Sequence, residues 1–98
     1  MAITEQQRRS LKKLVHHLKP VVTVGQNGLS EGVFNEIEIA LDSHELIKIK
    51  LSGSDKNERK GMIDKICETT KADYVHSIGH IAAFYRRHPK KQKIKIGQ

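Results

Sequence analysis

Leu11, Leu14, Val15 and Leu18 fall at i, i+3, i+4 and i+7, the spacing that lays one apolar stripe along a helix. Thr4 followed by Gln7 fits a capping box in front of that stripe, so a first helix is expected over residues 5–18, ended by Lys19-Pro20. The period then changes. Val21, Val22, Thr23 and Val24 form a β-branched run bounded by Pro20 and Gly25, the composition of a short strand. Beyond Gly25-Gln26-Asn27-Gly28, Ser30 is a good N-cap, and Val33, Phe34, Ile37, Ala40 and Leu41 return to helical spacing. A second helix is therefore expected from Glu31 to Asp42, with Glu36, Glu38 and Asp42 in solvent. Leu46 to Leu51 alternates, Ile47, Ile49 and Leu51 to one side and Lys48 and Lys50 to the other, which predicts a half-buried strand with a basic outer face. Asp55 with Glu58 opens a third helix reaching Thr70, its core stripe Met62, Ile63, Ile66 and Cys67. Gly61 inside that helix costs about 1 kcal/mol relative to Ala. Residues 74–78 and 81–86 read as two strands joined through a tight Gly79-His80 turn.

The order α-β-α-β-α-β-β makes the fold class α/β, a single small domain with a mixed four-stranded sheet. Its first two strands form a βαβ unit with a right-handed crossover. A chain of 98 residues supports one modest core, and the domain is assigned to residues 1–88. From Arg86 the chain turns basic; residues 89–98 are assigned to a C-terminal tail, extended around 93–96. One cysteine permits no internal disulfide and fits a reducing compartment. Residues 1–10 lack the apolar stretch of a signal peptide, and no apolar run approaches the roughly 18 residues of a membrane span. A cytoplasmic protein without a membrane partner is expected.

Charge adds a direction. The formal net charge is +7 and the isoelectric point about 9.7, but the distribution says more. Arg8, Arg9, Lys12, Lys13 and Lys19 stand against Glu5 alone in residues 1–19, whereas residues 20–45 carry acids and neither Lys nor Arg. Segregated basic charge on a small domain favours a polyanion, and nucleic acid is the commonest one. The same charge could also serve solubility alone.

No catalytic spacing is present: there is no GxSxG, HExxH, P-loop or GxGxxG. His76 and His80 would straddle the predicted turn, no CxxC supports a zinc site, and Cys67 falls on an apolar stripe. No enzyme, metal, cofactor or small-molecule substrate is therefore expected. What remains is the Gly25-Gln26-Asn27-Gly28 loop. Two glycines three apart are common, but a GxxG loop ahead of a helix N-terminus can clamp a sugar–phosphate backbone. Phe34, Tyr74, Phe84 and Tyr85 are the only aromatics and Phe34 falls on a core stripe, too few for a stacking platform, so backbone and shape recognition is expected.

The segments LKPVV, GQNGLSEG and HELIKIK, with the closing IGHIAAFYR, resemble the CRM domain (chloroplast RNA splicing and ribosome maturation) in its bacterial stand-alone, YhbY-like form. The likeness spans nearly the whole chain. It implies a fold similar to the C-terminal domain of translation initiation factor three. It also implies RNA binding and association with precursors of the large ribosomal subunit. By position, the RNA-contacting loop is Gly25, Gln26, Asn27 and Gly28. The basic surface would map to Arg8, Arg9, Lys12, Lys13 and Lys19, helped by Lys48 and Lys50. The resulting expectation is a monomeric, non-enzymatic RNA-binding protein that assists ribosome assembly. The alternative is a module that docks a ribosomal protein or assembly factor through the acidic face of the second helix.

Overall fold

The computed structural model describes residues 3–25, 27–53 and 55–90. Seven elements follow one another: α1 (Glu5–Val15), β1 (Pro20–Val24), α2 (Glu31–His44), β2 (Leu46–Leu51), α3 (Lys56–Thr70), β3 (Asp73–Ile78) and β4 (Ile81–Tyr85). Both capping boxes form: the Thr4 hydroxyl accepts from the Gln7 amide at 3.1 Å, and the Asp55 carboxylate from the Glu58 amide at 2.8 Å. The sheet has the order β1-β2-β4-β3, with β1 parallel to β2 and the other pairs antiparallel, so it is mixed and four-stranded as expected. Gly79 takes a φ of 57° at the turn between β3 and β4, the left-handed conformation a two-residue hairpin needs.

The sheet is covered on both faces. On one, Val22, Val24, Ile47, Ile49, Leu51 and Phe84 meet Ile37 and Leu41 of α2 and Ile66 of α3. On the other, Leu46, Val75, Ala83 and Tyr85 meet Leu11 and Val15 of α1. Alternation along β2 puts Leu46, Lys48 and Lys50 on the α1 face, so the expected basic outer face is in fact partly roofed by a helix. Lys48 is half-buried there and donates from Nζ to the Leu18 carbonyl at 2.9 Å.

That contact bears on a second departure. The helix expected to reach residue 18 stops at Val15, and the Leu14 and Val15 carbonyls accept from the His17 and Leu18 amides in a tightened turn. The turn brings the chain down to start β1 at Pro20, and Lys48 caps its last exposed carbonyl. Leu14, expected inside, is 40% exposed: α1 packs over β2 and β3, and Leu14 borders an open groove with Val21 of the edge strand, itself 49% exposed.

Arg86 overturns two further expectations. Its guanidinium donates to Glu38 Oε1 at 2.7 Å, to the Thr70 carbonyl at 2.8 Å and to Asp42 Oδ1 at 2.9 Å. Glu38 and Asp42 are thus ion-paired rather than merely solvated, and Arg86 is a clamp between α2 and the end of α3 rather than the start of a free basic run. Glu45 completes the fastening. It ends α2 with a φ of 63° and is fully buried; its carbonyl accepts from the Arg86 amide and its carboxylate from the His88 amide. The extension expected at 93–96 lies outside the described residues.

Candidate nucleic-acid interface

Val24 is the last buried residue of β1, and the chain leaves the sheet at Gly25. Gly28 returns its amide to the Gly25 carbonyl at 3.0 Å, closing a β-turn, and takes a φ of 67° that other residues adopt only with strain. Leu29 tucks against the core and anchors the turn from behind. Ser30 then caps α2, its hydroxyl accepting from the Val33 amide at 3.2 Å. Gly25 and Asn27 are exposed, while Gln26 lies outside the described residues. The turn therefore projects beside the positive end of α2, where an anion is favoured.

The two glycines have different reasons to be glycine. Gly28 needs its positive φ. Gly25 has no positive φ, and a Cβ built on it would meet nothing within 4 Å. Nothing inside the protein asks for the missing side chain. Close approach by something outside is what a bare backbone there permits.

The expected basic residues do not form one cluster. Lys50 is exposed and pairs in register with Thr23, two residues short of Gly25, so it shares the end of the sheet from which the turn projects. Lys12 and His16 of α1 lie close enough to His76 on β3 to act on it electrostatically. Desolvation pushes His76 below the ordinary histidine value, and the charges of Lys12 and His16 push the same way. Arg9 and Lys13 are exposed on α1. Arg8 is half-buried and acts on Asp73, which opens β3 at the opposite end of the sheet. Burial pushes the Asp73 carboxyl up and the Arg8 guanidinium opposes it. Lys19 is exposed just ahead of β1, six residues or about 20 Å of extended chain from Gly25.

Three cationic side chains passed over in the sequence stand at the loop end instead, Lys56, Arg59 and Lys60 of α3, with His80 of the hairpin turn beside them. A signal for them existed. Lys56, Arg59 and Lys60 recur at i, i+3 and i+4, which puts three cations on one side at the start of a helix whose N-terminal amides Asp55 and Glu58 already serve.

Other chemistry is sparse. Among the described residues no group of three His, Cys, Asp or Glu could hold a metal, and no helix is long and apolar enough to cross a membrane. His76 and His80 border different grooves, one under α1 and one beside α3. Burial pushes the Cys67 thiol up, with Asp73 and Asp64 acting the same way, the reverse of what activates a nucleophile.

Residues 3–86 match the CRS1 / YhbY (CRM) domain family. A protein of Pseudomonas aeruginosa named as a probable RNA-binding protein is 46% identical over 93 residues, covering 95% of this chain and 89% of its own. A Haemophilus influenzae protein named as RNA-binding is 50% identical over 84 residues, 86% of this chain and 85% of its own. The solution structure of a Staphylococcus aureus protein proposed to bind RNA superimposes with a TM-score of 0.85 at 26% identity, covering 97% of this chain and 99% of that one.

Proposed function

The chain belongs to the CRS1 / YhbY (CRM) domain family, and on that premise we propose that it is a monomeric, non-catalytic RNA-binding protein of the cytoplasm. It holds structured RNA of the large ribosomal subunit precursor during assembly. The backbone of that RNA seats on the Gly25–Gly28 turn, and Lys50 with the exposed cations of α1 neutralises neighbouring phosphates. The observation that carries this reading is Gly25, a glycine with neither a conformational nor a packing need, exposed beside the N-terminus of α2. Relatives named as RNA-binding over most of their length support the choice of polymer. The docking alternative has lost ground, because Glu38 and Asp42 already hold Arg86.

The test is affinity for large-subunit ribosomal RNA fragments across a salt series, for wild type and a Gln26→Glu/Asn27→Asp variant. We expect a steep salt slope and a loss of about tenfold in the variant. An unchanged affinity would remove the turn from the site. Wild-type binding no tighter than to heparin would reduce the basic charge to a solubility device. Sedimentation of cell extracts tests the assembly role: the protein should travel with large-subunit precursors and leave the mature subunit.

A further inference from the structure

Ser77 and Ala82 face each other across β3 and β4 on the α3 side of the sheet, and Gly79 follows at the turn. With only small side chains there, α3 and the hairpin do not close on one another. A groove of about 660 Å³ remains between them, within the range of ligand-binding clefts. Its inner wall is apolar, built from Ile63, Tyr74 and Ala82, while Lys56, Arg59, Lys60 and His80 stand around it with Asp64. One corner is tied in place. The Leu51 amide donates to the His80 carbonyl at 2.6 Å, and His80 Nδ1 lies 3.3 Å from both Arg59 Nη1 and the Leu51 carbonyl.

We propose that this groove is a second RNA site, one that takes an unpaired nucleotide. The base lies against the apolar wall and its flanking phosphates meet the cations of α3. A duplex cannot use such a site, because its base faces are buried in its own stack. Asp55 and Glu58 already serve the N-terminal amides of α3, and Lys56, Arg59 and Lys60 add the positive charge around the groove that a phosphate would meet. The groove is also within reach of the Gly25–Gly28 turn. The Ser52 amide donates to the Val24 carbonyl at 3.0 Å, and His80 is bonded to Leu51, so β1 and the hairpin tip are about two strand spacings, ~10 Å, apart. A strand crossing the turn can run on into the groove. The proposal rests on the RNA-binding reading above and extends it from structured RNA to an adjoining single-stranded stretch.

Two fluorescein-labelled probes test it, an oligouridylate of about eight nucleotides and a blunt RNA duplex of about 16 base pairs. Lys56→Gln/Arg59→Gln/Lys60→Gln should weaken oligouridylate binding at least about tenfold and duplex binding at most about threefold. Ser77→Phe changes no charge and fills the groove from an exposed position, and should do the same. A charge-matched control, Lys65→Gln/Lys71→Gln/Lys90→Gln, should lose less than about threefold on either probe. Thermal melts establish that each variant is folded. Equal losses on both probes, or oligouridylate binding by Ser77→Phe at the wild-type level, would overturn the groove. Wild type that binds ribosomal RNA fragments but not oligouridylate overturns it alone; wild type that binds no RNA overturns the broader reading as well.

Discussion

Arg86→Met keeps much of the side chain's length and removes its fork of donors, which makes it a sharp test of the clamp. The structure sets the size of the effect. The bond to the Thr70 carbonyl is a charged donor on a backbone acceptor in a buried residue, worth about 1.5–3 kcal/mol. Glu38 and Asp42 are 44% and 64% exposed at their side chains, so those two pairs contribute only about 0.2–1 kcal/mol each. The sum is about 2–5 kcal/mol, a large share of the 5–15 kcal/mol typical of a domain, and should lower Tm by roughly 10 °C or more. Urea denaturation followed by circular dichroism measures it. Because the Thr70 bond dominates, raising the salt concentration should recover little of the wild-type advantage. A loss below about 0.5 kcal/mol would refute the reasoning. The same variant decides between a clamp and a ligand-facing cation. Compared at a temperature where both proteins are folded, RNA affinity should change by no more than about twofold. Intact stability with weakened RNA binding would put Arg86 back in a basic binding run.

Other expectations are simpler to check. Gly28→Ala should cost about 1–2 kcal/mol by denaturation, because its φ of 67° is unfavourable to a Cβ that otherwise meets nothing. Gly25→Ala should leave stability within about 0.5 kcal/mol of wild type yet weaken binding to ribosomal RNA fragments; undiminished binding would deny that RNA approaches there. Lys48→Met should lower stability by about 1 kcal/mol through the uncapped Leu18 carbonyl with little effect on RNA, whereas Lys50→Met should reduce the salt slope of RNA binding by about one and spare stability. His76 predicts a pH dependence. Its folded value lies below the unfolded 6.5, so the unfolded chain takes the proton more readily; the group's contribution to stability is full above 6.5 and is lost as pH falls through the lower folded value. His76→Gln should flatten stability across that interval, and an unchanged profile would exclude it as the cause.

Much of the fold could be read locally because its signals are local. Thr4 with Gln7, Ser30, and Asp55 with Glu58 each satisfy the orphan amides of their own helix, so a few residues suffice to mark three N-termini. The ends of helices were less legible. α1 stops early where Lys48, thirty residues away, bonds Leu18, and α2 runs on to His44 until buried Glu45 turns the chain. Those are tertiary events with no local mark. Arg86 misled for the same reason: beside Arg87 and Lys90 it looks like part of a basic run, and only the packing of α2 against α3 supplies its three acceptors.

The charge map illustrates the same limit in the place that matters for binding. Grouped along the chain, Arg8, Arg9, Lys12, Lys13 and Lys19 look like one surface. In the fold, Arg8 and Lys19 are at the far end of the sheet from the turn they were expected to serve. Lys50, Lys56, Arg59, Lys60 and His80 are spread over thirty residues, yet they gather at the near end. The cause is topological. Parallel β1 and β2 both end there, so the Gly25–Gly28 turn, the link into α3 and the N-termini of α2 and α3 must share that end, the usual place for ligands in open α/β sheets. That much follows from a βαβ unit legible in the sequence. What does not follow is that β4 inserts beside β2 and carries the hairpin tip to the same end, because strand order is decided by pairing across the whole domain. A basic surface is therefore better sought by asking which loops share a sheet end than by counting cations along the chain. On that criterion the start of α3 brings three cations to the sheet end from which the turn projects, whereas Arg8 and Lys19 stand at the other.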